Sequence, residues 1–422
     1  MNRPDVIVIG AGLAGLSSAL FLSRAGLSVK VLEREADVGM ATSFANAGML
    51  TPSMSDPWNA PGAAWKLLRW LGRADAPMRL RPGALHHYLG WGLSFLRNAA
   101  PARHRAAMLA NFALSQYSVA QTRALRDELQ LRYCAGTKGT MKVFRDARQF
   151  EQVQKLYDPL REHGLSFEAV DGAGAARIEP LLAETAARIA GALYFPQDET
   201  GNAHLFCREL LARLLERGAA FEFGTPVGEV LTDGRQVTGV RAGARRFEAS
   251  RVVLAAGAWS RTLARPLGVA LNIRPVKGYS VSVEVTDPAL MPSLSLIDDH
   301  LHAAATPLGS TLRLAGTAEF GGWRTELDPR RIQALWDFLA ALSPTLGRRV
   351  SRQNAREWCG FRPMAADGRP YIGAAPVAGL YLNTGHGHLG WTQAAGSAAL
   401  LGQIVTGRAT DINPAPYSLA RR

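Results

Sequence analysis

An apolar strand entering a G-x-G-x-x-G turn near residue 10, a second buried strand near residue 254 that stops on small residues, and a change to alternating strands from Leu271 predict an α/β fold. One part is a Rossmann-like dinucleotide-binding domain. The other is a second α+β domain built on an antiparallel sheet.

Val6 to Ile9 form a continuous β-branched run, the pattern of a strand buried on both faces. Gly10, Gly12 and Gly15 follow. Gly10 permits the tight turn, Gly12 lets a pyrophosphate approach the backbone, and Gly15 lets the helix Leu13 to Arg24 lie close to the sheet. Free amides at that helix N-terminus, at Leu13 and Ala14, face phosphate charge. A second strand, Ser28 to Leu32, ends at Glu33, about 20 residues past the glycines, where a carboxylate accepts from ribose hydroxyls.

The small, polar stretch from Ala41 to Ser53 reads as a loop against a bound cofactor, with Thr42, Ser43, Ala47 and Gly48 as contacts. Helices are expected at Ala63 to Leu71, Gly83 to Asn98 and Arg103 to Leu129. After them come a strand at Gly139 to Phe144, a helix at Gln149 to His163 and a strand at Gly191 to Phe195. The helix Leu205 to Arg217 precedes a strand at Ala220 to Phe223 and a hairpin-like excursion, EVLTDG with VTGVRAG. The strand Arg251 to Gly257 stops on Ala-Ala-Gly before Trp259, which brings backbone against something flat or closely packed.

From Leu271 three alternating segments suggest antiparallel sheet, followed by a helix from Pro329 to Leu342. The chain then returns through GFRPMAADGRP. Its last motif runs from the strand Leu380 to Asn383 through Gly385, Gly387 and Gly390 into a helix expected at Trp391 to Val405. The units this implies are 1–48, 198–270 and 355–422 for the dinucleotide-binding domain, with 49–197 and 271–354 forming a substrate or cap domain.

The 422 residues are 47% hydrophobic and carry a formal net charge of +13. No 18-residue apolar run is present, the N-terminus enters a core strand without a signal-peptide pattern, and Cys134, Cys207 and Cys359 are unpaired by spacing. These features point to a globular protein of a reducing cytoplasm. The basic residues are scattered and no nucleic-acid-binding motif accompanies them. Only Trp58 to Arg105 concentrates charge, with eight basic residues against Asp75, interleaved with Trp58, Trp65, Trp70 and Trp91. Two readings stand: peripheral contact with an anionic inner-membrane surface, or a solvated basic face over an aromatic core. His386 and His388 sit between glycines without a third ligand at suitable spacing, so no metal site is read.

Seven stretches in order, ATSFANAG, PWNAPG, DETGN, RPVKGYS, GTAEF, GFRPMAADGRP and LNTGHGHLGWT, resemble the FAD-dependent D-amino acid oxidase superfamily. Within it they are most similar to the bacterial D-amino acid dehydrogenase (small subunit) subfamily. The resemblance implies a D-amino acid oxidase/glutathione-reductase-like fold with FAD in the dinucleotide site. Cofactor contacts are then expected at Gly10, Gly12, Leu13, Ala14, Gly15, Glu33, Arg34, Thr42, Ser43, Ala47, Gly48 and Val227. Further contacts are expected at Ala256, Gly257, Trp259, Gly360, Gly385, His386, Gly387, Leu389, Gly390 and Thr392. It also implies that Arg362 of the G-F-R-P motif holds a substrate carboxylate, a role suited to a planar bidentate fork. The backbone carbonyl of His388 would accept from the substrate amine, at a position where oxidases commonly have glycine, so the imidazole narrows the pocket. Tyr279 is a plausible active-site hydroxyl, whereas Glu319, His300 and His302 read better as ordinary sheet or surface positions.

The implied activity is oxidative deamination of D-amino acids to 2-oxo acids and ammonia, by hydride transfer to flavin N5. Electrons then pass to a quinone or another non-oxygen acceptor. Alternatives are a D-hydroxyproline or D-proline dehydrogenase, a glycine/sarcosine-type oxidase using oxygen, and a non-catalytic flavin electron-transfer subunit.

Overall fold

The computed structural model describes residues 3–63, 65 and 78–421. Most of the helix expected at Ala63 to Leu71, with Lys66, Arg69, Trp70, Arg73 and Asp75, therefore lies outside the described residues.

Two large sheets organise the molecule. The first has six strands in the order Tyr371–Ala374, Leu380–Thr384, Val252–Leu254, Val6–Ile9, Val29–Leu32 and Ala220–Glu222, parallel except for the first of them. Val6 and Val8 pack into one core with Leu16 and Leu20 of the helix Leu13–Arg24 and with Leu400 and Leu401 of Ala394–Val405. Ile7 and Ile9 point the other way, into a core shared with Val230 and Val240 of a three-stranded antiparallel sheet. Burial on both faces is why this strand is apolar without alternation. The expected hairpin is thus a three-stranded meander, its third strand being Arg245–Glu248.

The second sheet is mostly antiparallel, with Arg356–Ala365, Ile273–Glu284, Thr311–Phe320, Ala303–Leu308, Ser295–Asp298, Thr140–Phe144, Gly191–Phe195 and Glu168–Val170 in order. Met78–Leu80 adds in parallel beside Ala318 to Phe320. The helix Pro329–Leu342 covers one face with Ile332, Leu335, Phe338 and Leu339. Its Asp328 N-cap accepts from the Arg330 amide at 3.1 Å.

Two expectations are corrected. Arg356–Ala365, assigned from sequence with the dinucleotide-binding unit, pairs with Ile273–Glu284, Val276 standing opposite Arg362. The last helix starts at Ala394, not Trp391. A 3₁₀ turn at Gly387–Leu389 comes first, and Gln393 N donates to Leu389 O at 2.8 Å before regular helix begins. The glycines at 385, 387 and 390 delay the helix because they disfavour regular helical backbone.

Candidate active site

One continuous cavity of about 720 Å³, among the described residues, runs from the carboxyl ends of the parallel strands to the face of the second sheet. Such crevices are where open parallel sheets bind their ligands. At its first end, Gly10 has φ +104°, and a Cβ there would stand 2.7 Å from the Ala255 carbonyl oxygen. A Cβ on Gly15 would stand 1.8 Å from Gly10 O, so the helix rests directly on the turn. The Leu13 amide donates to Ser43 Oγ at 3.2 Å, a cap lent by the following loop. Glu33 is buried at the strand end; its carboxylate accepts from the Ala11 amide at 2.6 Å and the Glu35 amide at 3.0 Å. Those two bonds lock the turn to the second strand and leave lone pairs over. The Arg34 guanidinium lies 3.5 Å from the centre of the Trp259 ring, on the same wall.

At the second end, Arg362 reaches in from the central part of its strand. Its Nη1 donates to Thr317 O at 3.0 Å, and its guanidinium sits 5.4 Å from the Trp58 ring centre. It passes across Gly278, where a Cβ would be 2.3 Å from Nη1. Burial pulls the guanidinium down to about 10, and no acid among the described residues counters it. It is still a cation at neutral pH. Thr317 is β-branched and held at φ +57°, a strained conformation that turns its carbonyl to Arg362. The strain sits opposite a register shift between Lys277 and Tyr279 in the neighbouring strand.

The histidines of the last motif separate into two roles. His388 stacks on Trp58 at 5.3 Å and 18°, and its Nε2 donates to Met54 O at 3.1 Å. Burial lowers its pKa against an upward pull from Asp56. His386 is buried, its Nε2 has no partner among the described residues, and burial pulls the ring down to about 4, so it is neutral.

Tyr279 lines the cavity with its ring, but its hydroxyl donates to Glu319 Oε2 at 2.8 Å. Glu319 is fully buried, with Arg81 Nε at 2.6 Å and Lys277 Nζ at 3.3 Å. Burial raises the carboxyl, and Arg81, Tyr279 and Lys277 together overcome that and hold it below the ordinary glutamate value. The hydroxyl is committed to this network rather than offered to a substrate.

A family model for FAD dependent oxidoreductases matches residues 5–404. The chain belongs to this family. It is similar to the D-amino acid dehydrogenase of Granulibacter bethesdensis, 38% identical over 419 residues that make up 99% of each chain. It is also similar to that of Paramagnetospirillum magneticum, 39% identical over 409 residues, covering 97% of this chain and 96% of the relative. Among solved structures, glycine oxidase from Geobacillus kaustophilus superposes over all of both chains with a TM-score of 0.79 at 22% identity. L-proline dehydrogenase from P. horikoshii does so with a TM-score of 0.78 at 16% identity, over 99% of this chain and 97% of that one. These two share the fold.

The family implies a flavin cofactor, and the residues present fit one. The glycine cradle leaves no room for a Cβ, an acid stands at the second strand's end, and the buried His386 Nε2 has no partner among the described residues at the cavity wall. Of the expected contacts, Gly10, Gly12, Leu13, Ala14, Glu33, Arg34, Thr42, Ser43, Ala47 and Gly48 line the cavity. So do Val227, Ala256, Gly257, Trp259, Gly360, His386, Gly387 and Gly390. Gly15, Gly385, Leu389 and Thr392 do not; they shape the turns, Thr392 Oγ1 accepting from the Thr51 amide at 3.0 Å. Arg362 and His388 line the second end, and so does His302, read from sequence as an ordinary position. Trp58, Asp56, Lys142 and Thr317 were missed as site residues. They come from a proline-flanked loop and two strands whose approach no local pattern announces.

Proposed function

We propose that this chain binds FAD and oxidises D-amino acids to 2-oxo acids and ammonia, passing the electrons to an acceptor other than oxygen, such as a quinone. The observation that carries it is Arg362, a half-buried cation without an acidic partner among the described residues, set across the cavity from the glycine cradle. The D-amino acid dehydrogenases at 38–39% identity over nearly the whole chain support the substrate class and its stereochemistry. In this reading the FAD-holding unit is 1–48, 198–270 and 355–422, less the strand Arg356–Ala365, and the remainder forms the substrate side.

The Arg362 fork holds the α-carboxylate, with one N–H already fixed by Thr317 O so that the rest points in a set direction. The backbone carbonyl of His388 accepts from the substrate amine and fixes its direction, and the neutral amine is the form able to release a hydride from Cα. Trp58 and the His388 ring, stacked, form an apolar wall that keeps water from the reacting carbon. Flavin, when bound in the glycine cradle, would supply the electron sink for the α-hydrogen. The imine left behind takes up water and releases ammonia. Such chemistry rests on orientation, so no strong protein base is required.

The described residues contain no helix long and apolar enough to cross a membrane. Two basic residues of the Trp58 to Arg105 stretch are engaged internally: Arg79 with Asp328 at 2.6 Å and Arg81 with Glu319 at 2.6 Å. Trp65, Arg97, Arg103 and Arg105 are exposed and suit peripheral contact of a cytoplasmic protein with an anionic inner-membrane surface, where a quinone is found.

The test is anaerobic mixing of the holoprotein with D-, L- and N-substituted amino acids, following loss of oxidised-flavin absorbance. Bleaching by acyclic D-amino acids is expected. Bleaching only by glycine-like amines or cyclic imino acids refutes the substrate assignment, and stoichiometric peroxide in air refutes the non-oxygen acceptor.

A further inference from the structure

Four carboxylates line the cavity: Glu33, held by the Ala11 and Glu35 amides, and Asp56, Asp298 and Asp299. Two are matched by cations. Asp299 Oδ1 stands 3.0 Å from Lys142 Nζ, and Asp298 Oδ2 stands 3.0 Å from Arg145. His302, also on this wall, acts on Asp299. Asp56 makes no hydrogen bond or ion pair among the described residues, although it sits on the cavity wall two residues before Trp58. Burial pulls Lys142 down, but Tyr157, Asp299 and Asp56 more than offset this, so it stays a cation already shared with Asp299. An unmatched anion remains on the wall.

The position of Asp56 relative to Arg362 decides what it can meet. Asp56 acts electrostatically on His388 and Lys142, whereas no acid among the described residues acts on Arg362. Trp58 contacts both Arg362 and His388, so the wall runs from Arg362 through the Trp58–His388 stack to Asp56 and Lys142. A substrate amine is bonded to the same carbon as the carboxylate and stays beside Arg362. With the α-amine taken by the His388 carbonyl in the reading above, a cation carried on the side chain is the group left for Asp56 to meet.

We propose that Asp56 receives a cationic group at the end of the substrate's side chain, so that the chain prefers D-amino acids of the lysine and arginine class over neutral ones of equal length. The proposal rests on the D-amino acid reading above. A charge-assisted pair at a partly desolvated wall is worth enough to dominate side-chain choice, whereas an uncharged chain would leave the carboxylate facing apolar atoms.

The test compares D-lysine with D-norleucine, which keeps the chain length and lacks the ammonium. Wild-type kcat/KM is expected to favour D-lysine at least tenfold, and Asp56→Asn should reduce that ratio at least tenfold; Asp56→Glu should restore most of it. A wild-type ratio near one, with D-norleucine bleaching the flavin, overturns the proposal while the D-amino acid reading stands. An Asp56→Asn variant that slows both substrates equally also overturns it, because a merely structural role lowers both and keeps the ratio. Failure of both substrates and of every other D-amino acid to bleach the wild-type flavin overturns the underlying reading along with it.

Discussion

Replacing Arg362 should weaken substrate binding without loosening the fold. Its Nη1 is held by Thr317 O at 3.0 Å, leaving the remainder of the fork to meet a carboxylate through two charge-assisted bonds. Each such bond contributes about 1.5–3 kcal/mol, so their joint loss, allowing for non-additivity, is about 3 kcal/mol, or a little over a hundredfold. Arg362→Met keeps the apolar stem against Trp58 and removes the charge. Steady-state kinetics on the best D-amino acid should show KM raised at least tenfold and kcat/KM lowered about a hundredfold, with flavin content unchanged. Stability should move the other way. Burial draws this guanidinium well below the ordinary arginine value, to about 10, a cost of about 3 kcal/mol in the folded state that no acid among the described residues offsets. The Met variant should therefore melt no lower than wild type. Unchanged KM, or a Tm that falls with no change in KM, would show that Arg362 is a structural cation and refute its assignment.

Gly10→Ala, whose Cβ would meet Ala255 O at 2.7 Å with φ at +104°, should purify with little flavin, read from the flavin-to-protein absorbance ratio. Glu319→Gln leaves Lys277 and Arg81 without their buried counter-charge and should cost about 3–5 kcal/mol by denaturant titration, with the Tyr279 ring still in place. Asp198 is buried, and that burial, working against hydrogen bonds from Ser53 and Thr140, raises its pKa from 3.8 to about 6. The folded state thus holds this proton more tightly than the unfolded chain, so its contribution to stability falls as pH rises from about 4 to about 6 and is level above. Asp198→Asn should flatten that slope in denaturant midpoints taken across the window.

The parts legible in the sequence were those whose cause is local. A strand buried on both faces must be apolar throughout, and Val6–Ile9 with the helix Leu13–Arg24 emerged at the expected bounds because the glycine turn fixes where one stops and the other starts. Pro329–Leu342 was equally plain, a proline at its first position and an apolar stripe behind it. What stayed hidden depended on pairing across long stretches of chain. Arg356–Ala365 carries no mark of which sheet it joins, and only its register beside Ile273–Glu284 brings Arg362 across Gly278. Tyr279 looked like a free hydroxyl because nothing local shows that a register shift two residues away delivers Glu319 to it.

The same comparison explains why the site could be half seen. The cofactor end is built from backbone, and backbone demands leave a signature: glycine where a Cβ would collide, as at Gly10 and Gly15. The substrate end is built from side chains that break local rules, a β-branched residue at positive φ and a guanidinium with no acid beside it among the described residues. Neither departure is favourable by itself, and each persists only because the surrounding sheet over-determines it. Gly278 supplies the space that Arg362 crosses, and the Arg81–Glu319–Lys277 network anchors the strand pair on which Thr317 is bent. Stability is thus spent within one short arc of the second sheet, and that arc carries the only described cavity-lining cation left for a carboxylate to meet once Lys142 is paired with Asp299 and Arg34 with Glu35.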